Sequence, residues 1–207
     1  MDIDNIRFDT NTKMGEIRKV AKEVKIDHNL SLKLWSTGKY HERLLAILIM
    51  DKKELNREFV DSIVQDISEH DQNEQLQLMD WFFANQLSKS KHGIELIQSW
   101  KNSELPLQRR TFWYHQARKR WMGKSEHSDT EELLSEIELN ISNEEEIVQW
   151  AMNFLAGWIG VYEEKFRERC INLGRNTGLY KNQKVSRGCT PDYLPEFIRI
   201  ESEKHRK

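Results

Sequence analysis

Little in this 207-residue chain breaks or staples a backbone: it has 2 cysteines, 3 prolines and 9 glycines. Cys170 and Cys189 are too few for a disulfide framework, and neither belongs to a paired metal-ligand spacing. No apolar run approaches the roughly 20 residues that span a bilayer. The segment from Met1 to Thr10 is acidic and mixed, without the apolar core of a signal peptide. A cytoplasmic protein without a membrane partner is expected. Phosphate-cradling glycine loops, nucleophile elbows and helix-turn-helix recognition signatures are missing too. That counts against nucleotide hydrolysis, acyl transfer and sequence-specific transcription control. His41-Glu42 is half of a zinc motif, but Leu45 stands where the second histidine would be. The remaining histidines form no spaced ligand set, so neither metal nor cofactor is expected.

What the chain does have is helix-forming material. Charged residues make up 32% and hydrophobic residues 38%, and few breakers with many charges suit exposed helices. Apolar residues recur at helical spacing almost throughout, as in Leu44, Leu45, Leu48 and Ile49, or Phe59, Ile63, Val64 and Ile67. No alternating run competes as a strand. Polar breaks fall near Gly38, Asp51 to Lys53, His70 to Asn73, Lys89-Ser90, Asn102-Ser103, Gly123 to Ser128, Ser142-Asn143 and Gly160. They separate helices of about 12 to 17 residues joined by short turns, the pattern of antiparallel pairs. The second helices begin near His41, Gln75, Gln108 and Glu146, a spacing of about 33 to 38 residues that fits two-helix solenoid repeats. The expectation is one all-α helical-repeat domain over residues 1–207. Its tail, 174–207, is basic and irregular, with a short helix near Tyr193 to Ile200.

Seven tryptophans in 207 residues need a purpose. Trp100, Trp113, Trp121 and Trp158 are read as packing residues, and Trp35 as a contact between the first and second repeats. Trp81 and Asn85, four residues apart, share one helix face. From Lys101 to Lys124 there are seven Lys or Arg and one acid, Glu104, whereas from Glu126 to Glu146 there are nine acids and no Lys or Arg. A near-neutral protein, net charge −2, can therefore carry a basic stripe beside a solvated acidic face. In the stripe, Arg109, Arg110 and Arg118 interleave with Phe112, Trp113 and Tyr114, which suits phosphate contacts combined with stacking. Arg109 and Arg110 would serve equally as a solvated helix start.

Five segments in order resemble the AlkD-type DNA alkylation repair family of HEAT-like helical repeats. They are Leu34 to Ala46, Trp81-Phe82-Phe83-Ala84-Asn85, Arg109-Arg110, Val148-Gln149-Trp150-Ala151-Met152 and Cys189-Thr190-Pro191-Asp192-Tyr193. The likeness covers about Leu32 to Ile200. It implies a HEAT-like solenoid with a concave DNA-binding cleft, acting as a monomer on double-stranded DNA that is alkylated or distorted. It also implies hydrolytic excision of cationic N3- or N7-alkylated purines, without a deep base pocket. By carry-over, Trp81 and Trp150 would pack on deoxyribose and backbone, Arg110 would grip a phosphate, and the catalytic carboxylate would stand at position 85.

Position 85 is Asn. A unit charge about 4 Å from the developing oxocarbenium is worth roughly 4 kcal/mol at an effective dielectric near 20, so an amide there slows the chemistry roughly a thousandfold. Asp80 lies about 140° around the helix and cannot substitute. Three functions therefore stay open: a weakened alkylpurine glycosylase, a DNA-structure binder without chemistry, and a protein-interaction scaffold.

Overall fold

A computed structural model describes residues 6–123 and 127–205, and every regular element among them is helical. Where the sequence reading expects one domain, the helices group into two compact units, Met1–Trp100 and Lys101–Lys207.

The first unit contains α1 (Met14–Val24), α2 (His28–Trp35), α3 (Tyr40–Ile49), α4 (Arg57–Ile67), α5 (Gln72–Asn85) and α6 (Lys91–Gln98). Its polar breaks are helix caps. Side chains of Asp27, Asn56, Asp71 and Ser90 accept the orphan backbone N–H groups that open α2, α4, α5 and α6. Both α1 and α2 pack on α3, which packs on α5, around Leu34, Leu44, Leu45, Ile63, Leu78 and Phe82. Trp35 ties the first helices to α4, as its Nε1 donates to Asp66 Oδ2 at 2.6 Å and the Arg43 guanidinium lies 4.8 Å from its ring centre. Buried Gln86 donates to the carbonyls of Ile47 at 2.5 Å and Met50 at 3.2 Å, pinning the end of α5 to the end of α3.

The second unit contains α7 (Pro106–Gly123), α8 (Thr130–Asn140), α9 (Glu146–Tyr162), α10 (Arg167–Thr177) and α11 (Leu194–His205). Apolar α9 is its centre, touched by α7, α8, α10 and α11. The expected break at Gly160 does not occur: α9 runs on to Tyr162. Gly160 permits a close approach instead, since a Cβ there would meet Ile198 Cδ1 of α11 at 2.5 Å. The tail also differs from expectation. Helix α10 continues through Gly174 to Thr177 and stops at Gly178, in the left-handed conformation. The short helix expected at Tyr193 to Ile200 is the longer α11. The helices that open the second half of each repeat begin at Tyr40, Gln72, Pro106 and Glu146, close to the expected starts.

One buried charge cluster fixes α7 against α9. Arg120 and Glu163 are both fully buried. Arg120 Nε donates to Glu163 Oε1 at 3.0 Å, while its Nη2 donates to Asp129 Oδ1 at 2.9 Å and to Thr130 Oγ1 at 2.8 Å. Thr130 Oγ1 donates in turn to Glu163 at 2.8 Å. Removing one member of such a cluster strands a buried charge and typically costs about 3–5 kcal/mol. Arg120→Ala should therefore lower the unfolding free energy by about that much in urea titration; a loss below about 1 kcal/mol would mean the cluster is not as dry as its geometry indicates.

Candidate nucleic-acid interface

In the first unit the C-terminal turn of α5 presents Trp81 and Asn85. Trp81 is half-buried, and its Nε1 donates to the Leu44 carbonyl at 3.1 Å. The guanidinium of Arg18, from α1, lies 4.1 Å from the Trp81 ring centre. Asn85 closes the turn, its Nδ2 donating to the Trp81 carbonyl at 2.8 Å. The pair is thus held one turn apart, as the spacing expects. What stands beside the tryptophan is an amide and a cation.

In the second unit α7 and α9 bring three rings together. Trp150 stacks on Phe154 with centroids 5.1 Å apart and 12° between planes. Tyr114 stacks against both, at 6.2 Å from Trp150 and 6.0 Å from Phe154. The Arg110 guanidinium lies 5.3 Å from the Trp150 centre and 5.7 Å from that of Tyr114. Arg110 is only 4% exposed, and its guanidinium is covered where it meets the rings. Trp150, Tyr114, Phe154 and Arg118 keep part of their surface in solvent.

The basic and acidic runs turn out to be counterparts. Arg109 binds Glu144, with Nη2 to Oε2 at 3.0 Å, as well as Glu145 and the Ser103 carbonyl. Lys101 reaches Glu132 at 3.1 Å and Glu136 at 2.6 Å, and Arg169 of α10 reaches Glu131 at 2.5 Å and Glu138 at 2.7 Å. The acidic segment is thus partly internal counter-charge and not only a solvated face; its first residue, Glu126, and Lys124 of the basic stripe lie outside the described residues. Three cations that sequence reasoning placed only in a general tail, Lys181, Lys184 and Arg187, sit on an exposed loop between α10 and α11. The base of that loop is fixed to α9, where Asn153 Nδ2 donates to the Asp192 carbonyl at 2.7 Å.

Among the packing tryptophans, Trp100, Trp113 and Trp158 are buried as expected, whereas Trp121 is 38% exposed and stacks on Trp158 at 6.0 Å. Cys170 is fully buried, and burial pushes its thiol up to about 12. No group of three or more His, Cys, Asp or Glu suited to a metal occurs among the described residues. Nor is any helix there long and apolar enough to cross a membrane.

A family model described as DNA alkylation repair enzyme matches residues 10–159, most of the chain. The protein belongs to this DNA alkylation repair family. A solved structure adds the architecture, with a TM-score of 0.70 at 19% identity over 99% of this chain and 86% of that one. It comes from a family described as related to the HEAT-like repeat DNA glycosylases with affinity for branched DNA structures. The likeness identifies the fold as HEAT-like. No curated protein matches the chain. In this family member the position carried over as catalytic holds Asn85. Arg18, which no sequence signal singled out, joins Trp81 from a helix that the sequence reading did not separate.

His115 of α7 gives the second unit a pH signature. Burial, with Lys119 and Arg118 nearby, pushes its imidazole down to about 4. The unfolded imidazole titrates near 6.5, so between about pH 6.5 and 4 the unfolded chain binds a proton that the folded chain rejects. The contribution is complete above pH 6.5 and is lost as pH falls. From pH 7.5 to 5 the loss should be about 2 kcal/mol by urea titration, and His115→Gln should show that much less pH dependence. Equal slopes in both proteins would contradict a buried neutral His115.

Proposed function

We propose that this protein binds DNA through its backbone and bases' sugar edges, and that base excision, if its substrate is a cationic alkylpurine, is slow because position 85 is an amide. The observation that carries the reading is the stack of Tyr114, Trp150 and Phe154 with the Arg110 guanidinium against it. Such a stack offers flat, preorganised apolar surface, suited to deoxyribose and unstacked bases. Membership of the DNA alkylation repair family supports the same partner. The cations on the loop between α10 and α11 add charge that steers a polyanion. Arg109, held by two glutamates, serves α7 and not the ligand. A peptide-binding scaffold is the weaker reading, because it has no use for a guanidinium held against stacked rings.

The chemistry follows from Asn85. Cleaving the glycosidic bond of a cationic purine leaves positive charge on the sugar, and a carboxylate beside it lowers that barrier. An amide supplies a dipole in place of a charge. The structural neighbour's described affinity for branched DNA makes a four-way junction a ligand to compare with plain and alkylated duplex.

Purified protein should bind labelled duplex or junction DNA by fluorescence anisotropy, with affinity falling steeply as salt rises. Absence of binding even at low salt would defeat the proposal. In a base-release assay on methylated DNA, Asn85→Asp should excise 7-methylguanine or 3-methyladenine up to about a thousandfold faster than the native protein. No release by either would show that the role is binding alone.

A further inference from the structure

Helix α1 is seated by Ile17, fully buried, and packs on α3. On another face it carries Arg18 and Lys22, four residues apart and so on one side of the helix. Lys25 follows as the C-cap, with its backbone at φ 65°, and all three side chains are exposed. Its two acids, Glu16 and Glu23, stand about 200° and 140° round from Arg18. Arg18 makes no ion pair or hydrogen bond among the described residues, and neither lysine does. The one contact recorded for the Arg18 side chain is the face of Trp81.

A guanidinium held over an aromatic ring by its central carbon still has N–H groups to offer, and those groups can grip a phosphate in a bidentate way. Trp81 cannot swing away from Arg18 cheaply, because its own N–H is fixed to the Leu44 carbonyl. The arrangement is therefore a preset cation with a rigid apolar support, extended along α1 by two further cations.

We propose that Arg18, Lys22 and Lys25 form a phosphate-binding stripe that holds the DNA backbone beside Trp81. The stripe rests on the DNA-binding reading and makes it more specific. It makes the surroundings of Trp81 suited to an anionic strand.

The test compares the full-length native protein with Arg18→Gln and with the triple variant Arg18→Gln, Lys22→Gln, Lys25→Gln. Each is titrated with labelled duplex and four-way-junction DNA across a salt series. Each phosphate contact removed should flatten the plot of log affinity against log salt by about 0.9. The single variant should thus lose about one from the slope and the triple variant about two to three, with several-fold or greater weakening at low salt. Thermal melting by circular dichroism should fall by no more than a few degrees, because all three side chains are exposed and only the Arg18–Trp81 contact is lost. If the native protein binds DNA and the triple variant matches it in slope and affinity, the stripe is refuted while the DNA reading stands. If the native protein binds no DNA at all, both fall together.

Discussion

Arg120 and Glu163 sit fully buried where α7 and α9 meet, joined to each other and to Thr130 and Asp129. Taking two charges out of water is costly, and their attraction roughly repays that cost. The value of the cluster lies in register. A shift of one residue along either helix would part the guanidinium from the carboxylate in a place where water cannot reach either. With that end of the pair fixed, the preceding turns of α7 and α9 meet so that Tyr114 faces Trp150 and Phe154. The ion pair helps to preorganise the rings from about two turns along α7.

The same economy of charge explains why a chain of net charge −2 is read here as a DNA binder. Four of the seven cations of the basic run pair with acids of the same unit: Lys101 with Glu132 and Glu136, Arg109 with Glu144 and Glu145, Lys119 with Asp129, and Arg120 with Glu163 and Asp129. Six of the acids that offset the cations are their direct partners: Asp129, Glu132, Glu136, Glu144, Glu145 and Glu163. Cations outside those pairs include Arg18, Lys22 and Lys25 at α1 in the first unit, and Lys181, Lys184 and Arg187 on the loop after α10 in the second, all exposed. Net charge carries little information about partners when the two signs are neutralised pairwise inside the fold.

Helix positions were readable because apolar periodicity and capping residues coincide; Asp71 and Ser90 mark starts in the sequence and bind the backbone there in the structure. The pairing of Trp81 with Asn85 was readable for the same reason, as it follows from one turn of helix. Gly160 misled because a glycine opens a turn and admits a neighbouring helix by the same absence of Cβ, and only the position of Ile198 distinguishes the two. The Arg109 contacts, the Arg120 cluster and the placement of Arg18 on Trp81 were not legible. Arg109 meets Glu144 35 residues on, Arg120 meets Glu163 43 residues on, and Arg18 meets Trp81 from a separate helix; no local pattern encodes such a partner. The division into two units was hidden too, because the helical pattern continues without a change across Trp100.

The central claim is that half-exposed aromatic rings backed by cations are where DNA is held. Fluorine NMR of protein labelled with 5-fluorotryptophan, with resonances assigned by single Trp→Phe variants, reads this directly. On adding duplex or junction DNA, the Trp150 and Trp81 signals should shift or broaden, while buried Trp100 and Trp113 stay in place. DNA binding that leaves Trp150 and Trp81 unmoved would contradict the account.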